Sequence, residues 1–193
     1  MGDLTIRALS TETWSDFARI VEKHNGVWGG CWCVWFHPRE PDRKRSKEGN
    51  KAYKRKLVDE GKAHAALVYD GDSCVAWCQF GPPPELPNIY HRKEVESRMT
   101  TPDWRITCIF VDRDSRRRGL SLFALNGALE LIGGLGGGVV ESYPHDTQGQ
   151  KVSSSFLYNG TRQIFEQAGF THDGTKGKRN CIMRKTVAGL TSG

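Results

Sequence analysis

The pattern of apolar and polar positions along this chain predicts six β-strands. Each is a short run of alternating or continuous apolar residues, and together they cover residues 4–8, 63–69, 73–80, 105–111, 138–143 and 181–187. The second and third runs are joined by Asp70-Gly71-Asp72. Because Asp-Gly supplies the positive φ angles that tight turns need, we expect these two strands to form a hairpin.

Apolar residues at helical spacing predict the helices. The first helix can be capped by Ser10 or Thr11, and its apolar face consists of Trp14, Phe17, Ala18 and Val21. The clearest helix ends at Gly133 and Gly134 and carries Leu122, Leu125, Leu129 and Ile132. Further helices are predicted over residues 47–61, 89–99 and 161–168. Helices and strands do not alternate regularly, so the order indicates an α+β domain rather than a doubly wound fold.

Length and composition fit one soluble domain. At 193 residues the chain has the size of a large single domain, and we expect one domain over residues 1–193. Its six tryptophans add bulk to a core that has few aliphatic residues. No apolar run reaches the about 18 residues of a membrane span, and residues 1–10 carry acid and base without an apolar centre. We therefore expect a cytoplasmic protein without a signal peptide.

The cysteines raise the question of a metal or a disulfide. There are six, and without an export signal we expect reduced thiols rather than a disulfide framework. Cys31, Cys33 and His37 could offer three metal ligands. Their spacing matches no common zinc site, and the aromatic residues around them favour packing, so we expect no metal.

The net charge of +6 is concentrated in residues 39–56. Nine basic residues in this stretch accompany three acidic ones, so the rest of the chain is neutral. Such a patch can attract phosphates, RNA or an acidic substrate, and a solvated helix with a charged face is the commoner alternative. Tyr53 is the one aromatic residue in the stretch, whereas platforms for stacked bases need several, which argues against nucleic-acid binding.

Residues 111–121 form the most informative segment, a loop between a buried strand and an amphipathic helix. The loop holds four arginines and Gly119. A helix start exposes unpaired N–H groups and positive dipole charge, so a small residue at position 119 lets phosphate oxygens approach the backbone. An ordinary strand-to-helix turn with solvated arginines is equally consistent with the pattern. The chain has no Gly-x4-Gly-Lys-Ser/Thr sequence, which excludes a nucleotide P-loop.

This loop also carries a resemblance to a known family. Arg116-x-x-Gly119-x-Ser121 after a strand ending at Val111 resembles the acyl-CoA-binding signature, Gln/Arg-x-x-Gly-x-Gly/Ala, of the GNAT N-acetyltransferases. The resemblance extends to Val140-Glu141-Ser142-Tyr143-Pro144 and to Asn159-Gly160-Thr161 leading into residues 164–170, and it covers residues 63–185. Bacterial members of the family with a Cys-Trp-Cys segment are the most similar.

The resemblance implies a fold and a co-substrate. The fold is a mixed, mostly antiparallel sheet, splayed between the fourth and fifth strands and flanked by helices. Residues 1–62 would form a variable acceptor-side region, and residues 63–187 would form the acyl-CoA-binding core. The co-substrate is acetyl-CoA, with its pantetheine arm in the split and its pyrophosphate on the loop amides. The implied contacts are Ile109, Phe110, Val111, Arg116, Arg117, Arg118, Gly119, Leu120, Ser121 and Asn159.

The chain departs from the family pattern at two positions. Ser121 replaces the usual Gly or Ala, which is a small change. Phe165 stands where many members carry the tyrosine that protonates departing CoA, so that role is open.

Direct acetyl transfer to an amine needs a neutral amine, a donor for the developing oxyanion and a proton for the CoA thiolate. A backbone N–H near Val111 would stabilise the oxyanion. Glu141 is the candidate general base, since it shares a strand face with Tyr143, and an ion pair between Glu141 and an arginine is the equal alternative. Tyr143 is the first candidate proton donor and Tyr158 the second.

The acceptor side is predicted from the aromatic segment near the start of the chain. Trp28, Trp32, Trp35 and Phe36 either form the wall of an acceptor pocket or pack in the core. The predicted function is direct transfer of an acetyl group from acetyl-CoA to a primary amine. The alternative is an RNA- or ribosome-associated domain that uses residues 39–56, including acetylation of aminoacyl-tRNA. The acceptor and the oligomeric state stay open.

Overall fold

The computed structural model describes residues 3–41, 44–91, 95, 101–147, 149–150, 152–153 and 156–190. Within these residues there are seven strands and four α-helices. The strands are β1 (Leu4–Ala8), β2 (His64–Asp70), β3 (Ser73–Gly81), β4 (Trp104–Val111), β5 (Gly138–Ser142), β6 (Thr171–Lys176) and β7 (Asn180–Val187). The helices are α1 (Trp14–Lys23), α2 (Lys47–Asp59), α3 (Leu120–Gly134) and α4 (Arg162–Gln167), and a short 3₁₀ turn spans Arg113–Ser115.

All seven strands belong to one mixed sheet with the order β1-β2-β3-β4-β5-β7-β6. Every neighbouring pair is antiparallel except β4 and β5, which are parallel. The parallel pairing runs from Trp104 opposite Val140 to Ile106 opposite Ser142. Strand β4 continues to Val111 without β5 beside it. The predicted splay between the fourth and fifth strands of an α+β domain is confirmed.

A β-bulge lies in β4 at the point where β4 and β5 separate. Gln79 pairs with Cys108 and the next residue of β3, Phe80, pairs with Ile106, so Thr107 is the extra residue in β4. The side chains of Thr107 and Cys108 consequently contact groups on the same face of the sheet. Because a bulge bends the strand that carries it, this one changes the direction of β4 next to the last residue that pairs with β5.

Helices cover both faces of the sheet. One buried cluster joins α1 and α2 to β2 and β3 and includes Phe17, Leu57 and Trp77. The other packs α3 and α4 on the opposite face. Helix α3 approaches the sheet closely at Gly127, because a Cβ atom there would lie 2.5 Å from Cδ1 of Ile6.

The sequence predictions for the core elements are confirmed, including the hairpin of β2 and β3. Strand β6 was missed because Thr171–Lys176 is polar, contains Gly174 and forms an exposed edge. The prediction that Ser10 or Thr11 caps α1 is wrong: the N-cap residue is Thr13, and Ser10 Oγ instead accepts amide hydrogen bonds in the preceding turn. Most of the helix predicted over residues 89–99 lies outside the described residues.

Among the described residues, no helix combines the length and apolar character needed to cross a membrane.

Candidate functional site

A cavity of about 290 Å³ lies where β4 ends and α3 begins. Its lining includes six residues that the sequence predicted as cofactor contacts: Val111, Arg116, Arg117, Gly119, Leu120 and Ser121. The remaining lining residues are Leu122, Ile164 and Gln167. The structure therefore brings the predicted loop residues together around one open space, which we call the loop cavity.

The N-terminus of α3 opens onto the loop cavity without a side-chain cap. Gly119 is the N-cap residue, with φ of +73°, and as a glycine it has no side chain that could accept a hydrogen bond from the first turn. The amides of Leu120 and Ser121 have no acceptor within the helix, since first-turn N–H groups point out of it. A Cβ atom at Gly119 would meet nothing within 4 Å. The positive end of α3 thus faces empty space that can hold an anion.

Three of the four loop arginines, at positions 116–118, differ in their placement. Arg116 and Arg117 are exposed and line the loop cavity. Arg118 is turned toward β2, where its Nη1 lies 2.8 Å from Oδ2 of Asp70. Two guanidinium groups are therefore free to approach an anion at the helix start, while the third is held by an ion pair.

The backbone of β4 offers fewer contacts to the split than predicted. In an antiparallel sheet the backbone N–H and C=O of a residue point to the same neighbouring strand, and those of the next residue point to the other side. The N–H of Asp112 donates to Val75 O of β3 at 2.8 Å, so Asp112 points toward β3. By this alternation the backbone polar groups of Phe110 point toward β3 rather than into the split, and the cofactor contact expected at Phe110 stays a prediction. Those of Ile109 and Val111 point into the split. Ile109 N–H already donates to the Tyr158 carbonyl at 2.7 Å, since a buried amide needs an acceptor.

A second cavity, of about 260 Å³, lies beside the bulge of β4. We call it the aromatic cavity, and it is lined by Trp28, Cys31, Cys33, Trp35, Phe36, Tyr90, Cys108 and Tyr158. Trp35 and Tyr90 stack with ring centroids 4.2 Å apart. Three of the four predicted acceptor-side residues therefore line a cavity. Trp32 does not: it is fully buried and stacks on Trp14 in the core at 6.0 Å.

A third cavity of about 370 Å³ adjoins the aromatic cavity and shares Phe36, Tyr90 and Tyr158 with it. Its wall also includes Tyr143 and Asn159. The Asn159 amide donates from Nδ2 to the Tyr143 carbonyl at 3.2 Å. The Oδ1 atom of Asn159 is buried and has no hydrogen-bond partner among the described residues. A buried acceptor of this kind is costly unless a ligand or water donates to it.

Glu141 has the arrangement that the sequence left as the alternative to a general base. Its carboxylate is fully buried, and Oε2 lies 2.7 Å from Arg184 Nε on the neighbouring strand. The Tyr143 hydroxyl donates to Oε1 at 2.5 Å. Burial, with the charge of Glu141, raises the pKa of Tyr143. Glu141 does not line any of the three cavities.

Sequence reasoning missed a buried polar cluster behind the aromatic cavity. Lys54 of α2 is fully buried, and its Nζ donates to Gln79 Oε1 at 2.6 Å and lies 3.1 Å from His37 Nε2. Burial lowers the pKa of Lys54 to about 8, against the opposing effect of nearby thiols. Cys33 Sγ and Cys108 Sγ are 2.9 Å apart in the same region. In the sequence Lys54 is one of nine basic residues in the stretch 39–56, and nothing in the residues next to it indicates that its side chain is buried.

No group of three potential metal ligands comes together in the described parts of the chain. The imidazole of His37 is used elsewhere, with Nδ1 3.0 Å from the carbonyl oxygen of Glu85 and Nε2 against Lys54.

Among the described basic residues of the stretch at 39–56, three are ion-paired. Lys51 pairs with Glu22, and Lys56 lies 2.5 Å from Glu40. Arg55 pairs with Asp59 on the same helix at 2.8 Å. With Lys54 buried as well, α2 has the character of a solvated helix packed by one face, and the positive surface is smaller than the sequence count suggested.

Solved structures similar to this chain include several acetyltransferases. A GNAT-family acetyltransferase from Streptococcus pneumoniae is 12% identical over 96% of this chain and 100% of that chain, with a TM-score of 0.53. An N-acetyltransferase from Staphylococcus aureus is 11% identical over 96% and 99% of the two chains, with a TM-score of 0.54. This chain has the GNAT fold. At such identities the likeness establishes the GNAT fold alone.

A third similar structure was determined in complex with coenzyme A, which forms a disulfide with a cysteine of that protein. It is RimL, a ribosomal-protein α-N-acetyltransferase, 12% identical over 95% of this chain and 94% of that chain, with a TM-score of 0.52. Scans of protein-family models and of curated proteins found no match to the sequence.

Proposed function

We propose that this protein is an N-acetyltransferase that moves an acetyl group from acetyl-CoA directly to a primary amine. The observation that carries the proposal is the continuous arrangement of three features along β4. An uncapped helix start lies at its end, the splayed edge follows, and the aromatic cavity lies beside the bulge. Acetyl-CoA has an anionic pyrophosphate, an extended pantetheine arm and a reactive thioester, and these parts would occupy the three environments in that order.

The loop cavity would bind the pyrophosphate of acetyl-CoA. The free amides of Leu120 and Ser121 and the positive end of α3 suit phosphate oxygens, and the open space at Gly119 lets them reach the backbone. Arg116 and Arg117 add charge at the rim. RimL, which shares the fold, was solved in complex with coenzyme A.

The pantetheine arm would follow the edge of β4 from Val111 toward the bulge. Val111 and Ile109 direct backbone groups into the split. The N–H of Ile109 is already bonded to the Tyr158 carbonyl, so the part of the strand edge open to the arm ends at Ile109. Acetyl-CoA supplies a thioester, whose carbonyl carbon is the electrophile. Beyond Ile109 the path reaches Cys108 and Tyr158 at the aromatic cavity, where an acceptor amine would enter.

Tyr158 is the better placed of the two candidate proton donors. It lines the aromatic cavity, whereas the Tyr143 hydroxyl is already bound to Glu141. Burial, with smaller effects from Tyr90 and Cys108, raises the pKa of Tyr158 to about 12. The hydroxyl therefore keeps its proton at neutral pH and can donate it to the departing CoA thiolate. In this proposal Glu141 has a structural role, as the partner of Arg184.

The test is an assay of thiol release from acetyl-CoA with a panel of primary amines. Removing the Tyr158 hydroxyl in Tyr158→Phe should lower kcat by about 10²-fold without changing the Kd for acetyl-CoA. Tyr69→Phe is the matched control, because its hydroxyl bonds Asp16 away from the three cavities. A wild-type kcat for Tyr158→Phe would contradict the assignment of Tyr158. Acetyl-CoA binding without thiol release for any amine would contradict the proposed reaction.

A further inference from the structure

Two thiols face each other at the inner wall of the aromatic cavity. Cys33 lies in the loop after α1 and Cys108 lies in the bulged part of β4, 75 residues later in the chain. Their sulfur atoms are 2.9 Å apart, and both side chains are almost fully buried. Both nevertheless line the cavity, so a small molecule that enters it reaches them.

We propose that Cys33 and Cys108 are a reversible oxidation site, at which a hydroperoxide small enough to enter the aromatic cavity converts the two thiols to a disulfide. The disulfide would covalently link β4 to the loop after α1, which carries Cys33 and the cavity residues Trp28, Trp35 and Phe36 and which we call the aromatic loop. This inference concerns the thiol pair itself and does not depend on acetyl transfer.

The surroundings of the pair favour the reactive thiolate form of Cys33. Burial alone would raise the pKa of Cys33, but the hydrogen bond from Cys108 and the charge of Lys54 outweigh it and lower the pKa. The pKa of Cys108 is raised by burial and by Cys33, so Cys108 keeps its proton. One sulfur can therefore act as nucleophile while the other donates to it, which is the arrangement of an attacking and a resolving cysteine.

The reaction balances in two steps. The Cys33 thiolate attacks one oxygen of the hydroperoxide, the O–O bond breaks, and the leaving alkoxide takes a proton to become an alcohol or water. Cys33 is then a sulfenic acid. The Cys108 sulfur attacks the Cys33 sulfur, the S–O bond breaks, and water leaves with the Cys108 proton. Two thiols are oxidised by two electrons and one peroxide is reduced, and an added dithiol reverses the result by thiol–disulfide exchange.

The remaining cysteines provide internal comparisons. Cys31 is half-buried and lines the same cavity, so it is the competing partner for either thiol. Cys78 is fully buried on the opposite face of the sheet. The thiols of Cys74 and Cys181 contact backbone carbonyl groups of Ala76 and Pro144.

The experiment treats the native protein with hydrogen peroxide, blocks free thiols with iodoacetamide after denaturation, and maps the peptides by mass spectrometry. We expect two of the six thiols to be lost, a Cys33–Cys108 linked peptide, and full recovery of six alkylated thiols after dithiothreitol. A Cys31–Cys33 or Cys31–Cys108 link, or six unchanged thiols, would overturn the proposal. Mapping uses the wild-type protein, so the result does not depend on whether a variant folds.

Variants test the chemistry of the pair. Cys33→Ser and Cys108→Ser should each abolish the linked peptide, whereas the control Cys181→Ser should form it at the wild-type rate. Lys54→Met should slow disulfide formation about threefold for each unit by which the pKa of Cys33 rises. An unchanged rate in Lys54→Met would overturn the part assigned to Lys54. Acetyl-CoA is absent throughout, so failure of the proposed acetyl transfer would leave these results unaffected.

Discussion

Replacing Lys54 by methionine removes an ammonium group that the fold buries completely. The hydrogen-bonding partners described for its Nζ are the amide oxygen of Gln79 and the imidazole of His37, neither of which carries a negative charge at neutral pH. Water stabilises an ammonium ion strongly, so burial without a carboxylate favours the neutral amine. This is why the pKa of Lys54 falls from 10.5 to about 8.

The size and sign of the resulting pH dependence follow from this pKa. Between about pH 8 and 10.5 the unfolded chain binds a proton at Lys54 that the folded protein has released. Raising the pH therefore stabilises the fold in this window, by about 3 kcal/mol in total. From pH 7 to pH 9 the contribution is about 1.3 kcal/mol. Below pH 7 both states hold the proton and the contribution of Lys54 no longer changes.

Urea unfolding at pH 7, 8 and 9 measures this contribution as a difference between variants. The free energy of unfolding of the wild type should rise by at least about 1.3 kcal/mol relative to Lys54→Met between pH 7 and 9, because the lowered pKa of Cys33, which depends on the charge of Lys54, acts in the same direction. Lys56→Met is the control on the same helix, because Lys56 is exposed and its hydrogen bond to Glu40 raises its pKa, so it stays protonated in this range. A difference between wild type and Lys54→Met that does not change with pH would refute the reasoning.

Two further predictions test the fold and the buried ion pair. Gly127→Ala should lower the Tm, because its Cβ would lie 2.5 Å from Ile6 Cδ1. The control on the same helix is Gly134→Ala, whose Cβ would meet nothing within 4 Å and which should leave the Tm unchanged or raised. Equal Tm values for the two variants would contradict the close approach of α3 to β1. Glu141→Gln should lower the free energy of unfolding by about 2 kcal/mol in urea titrations, since it removes the buried charge that pairs with Arg184 and leaves only the more exposed Asp173 carboxylate, 3.3 Å from Arg184 Nε, among its described acidic partners, while thiol release per folded molecule stays near wild type. Lost activity with unchanged stability would instead support Glu141 as a general base.

Local sequence patterns were sufficient for most of the fold. Apolar periodicity placed six strands because each has at least one covered face, and it failed at Thr171–Lys176, where an exposed edge strand needs no apolar pattern. The loop cavity could also be predicted, since the residues from Arg116 to Ser121 are contiguous and their geometry depends on one helix start. Both features depend on interactions between residues that are close in sequence.

Features that depend on distant residues could not be predicted. Trp28 and Trp32 are four positions apart and equally apolar, yet one lines a cavity and the other fills the core beside Trp14. Glu141 is fixed by Arg184 on the strand beside it, a pairing that depends on sheet register. Lys54 belongs to a basic segment, and its burial follows from the way α2 packs on β3 and the aromatic loop. In each case the spacing of residues predicts on which face of a helix or strand a side chain lies. It does not predict which distant part of the chain packs on that face.

The central claim is that the start of α3 binds the pyrophosphate of acetyl-CoA, and isothermal titration calorimetry with acetyl-CoA tests it most directly. Wild type should bind, and Gly119→Glu should raise the Kd at least about 100-fold, because the carboxylate occupies the open space at the helix start and repels phosphate. Gly61→Glu is the matched control, with a similar positive φ and nothing within 4 Å, and should bind like wild type. No binding by the wild type at millimolar acetyl-CoA, or an unchanged Kd in Gly119→Glu, would contradict the claim.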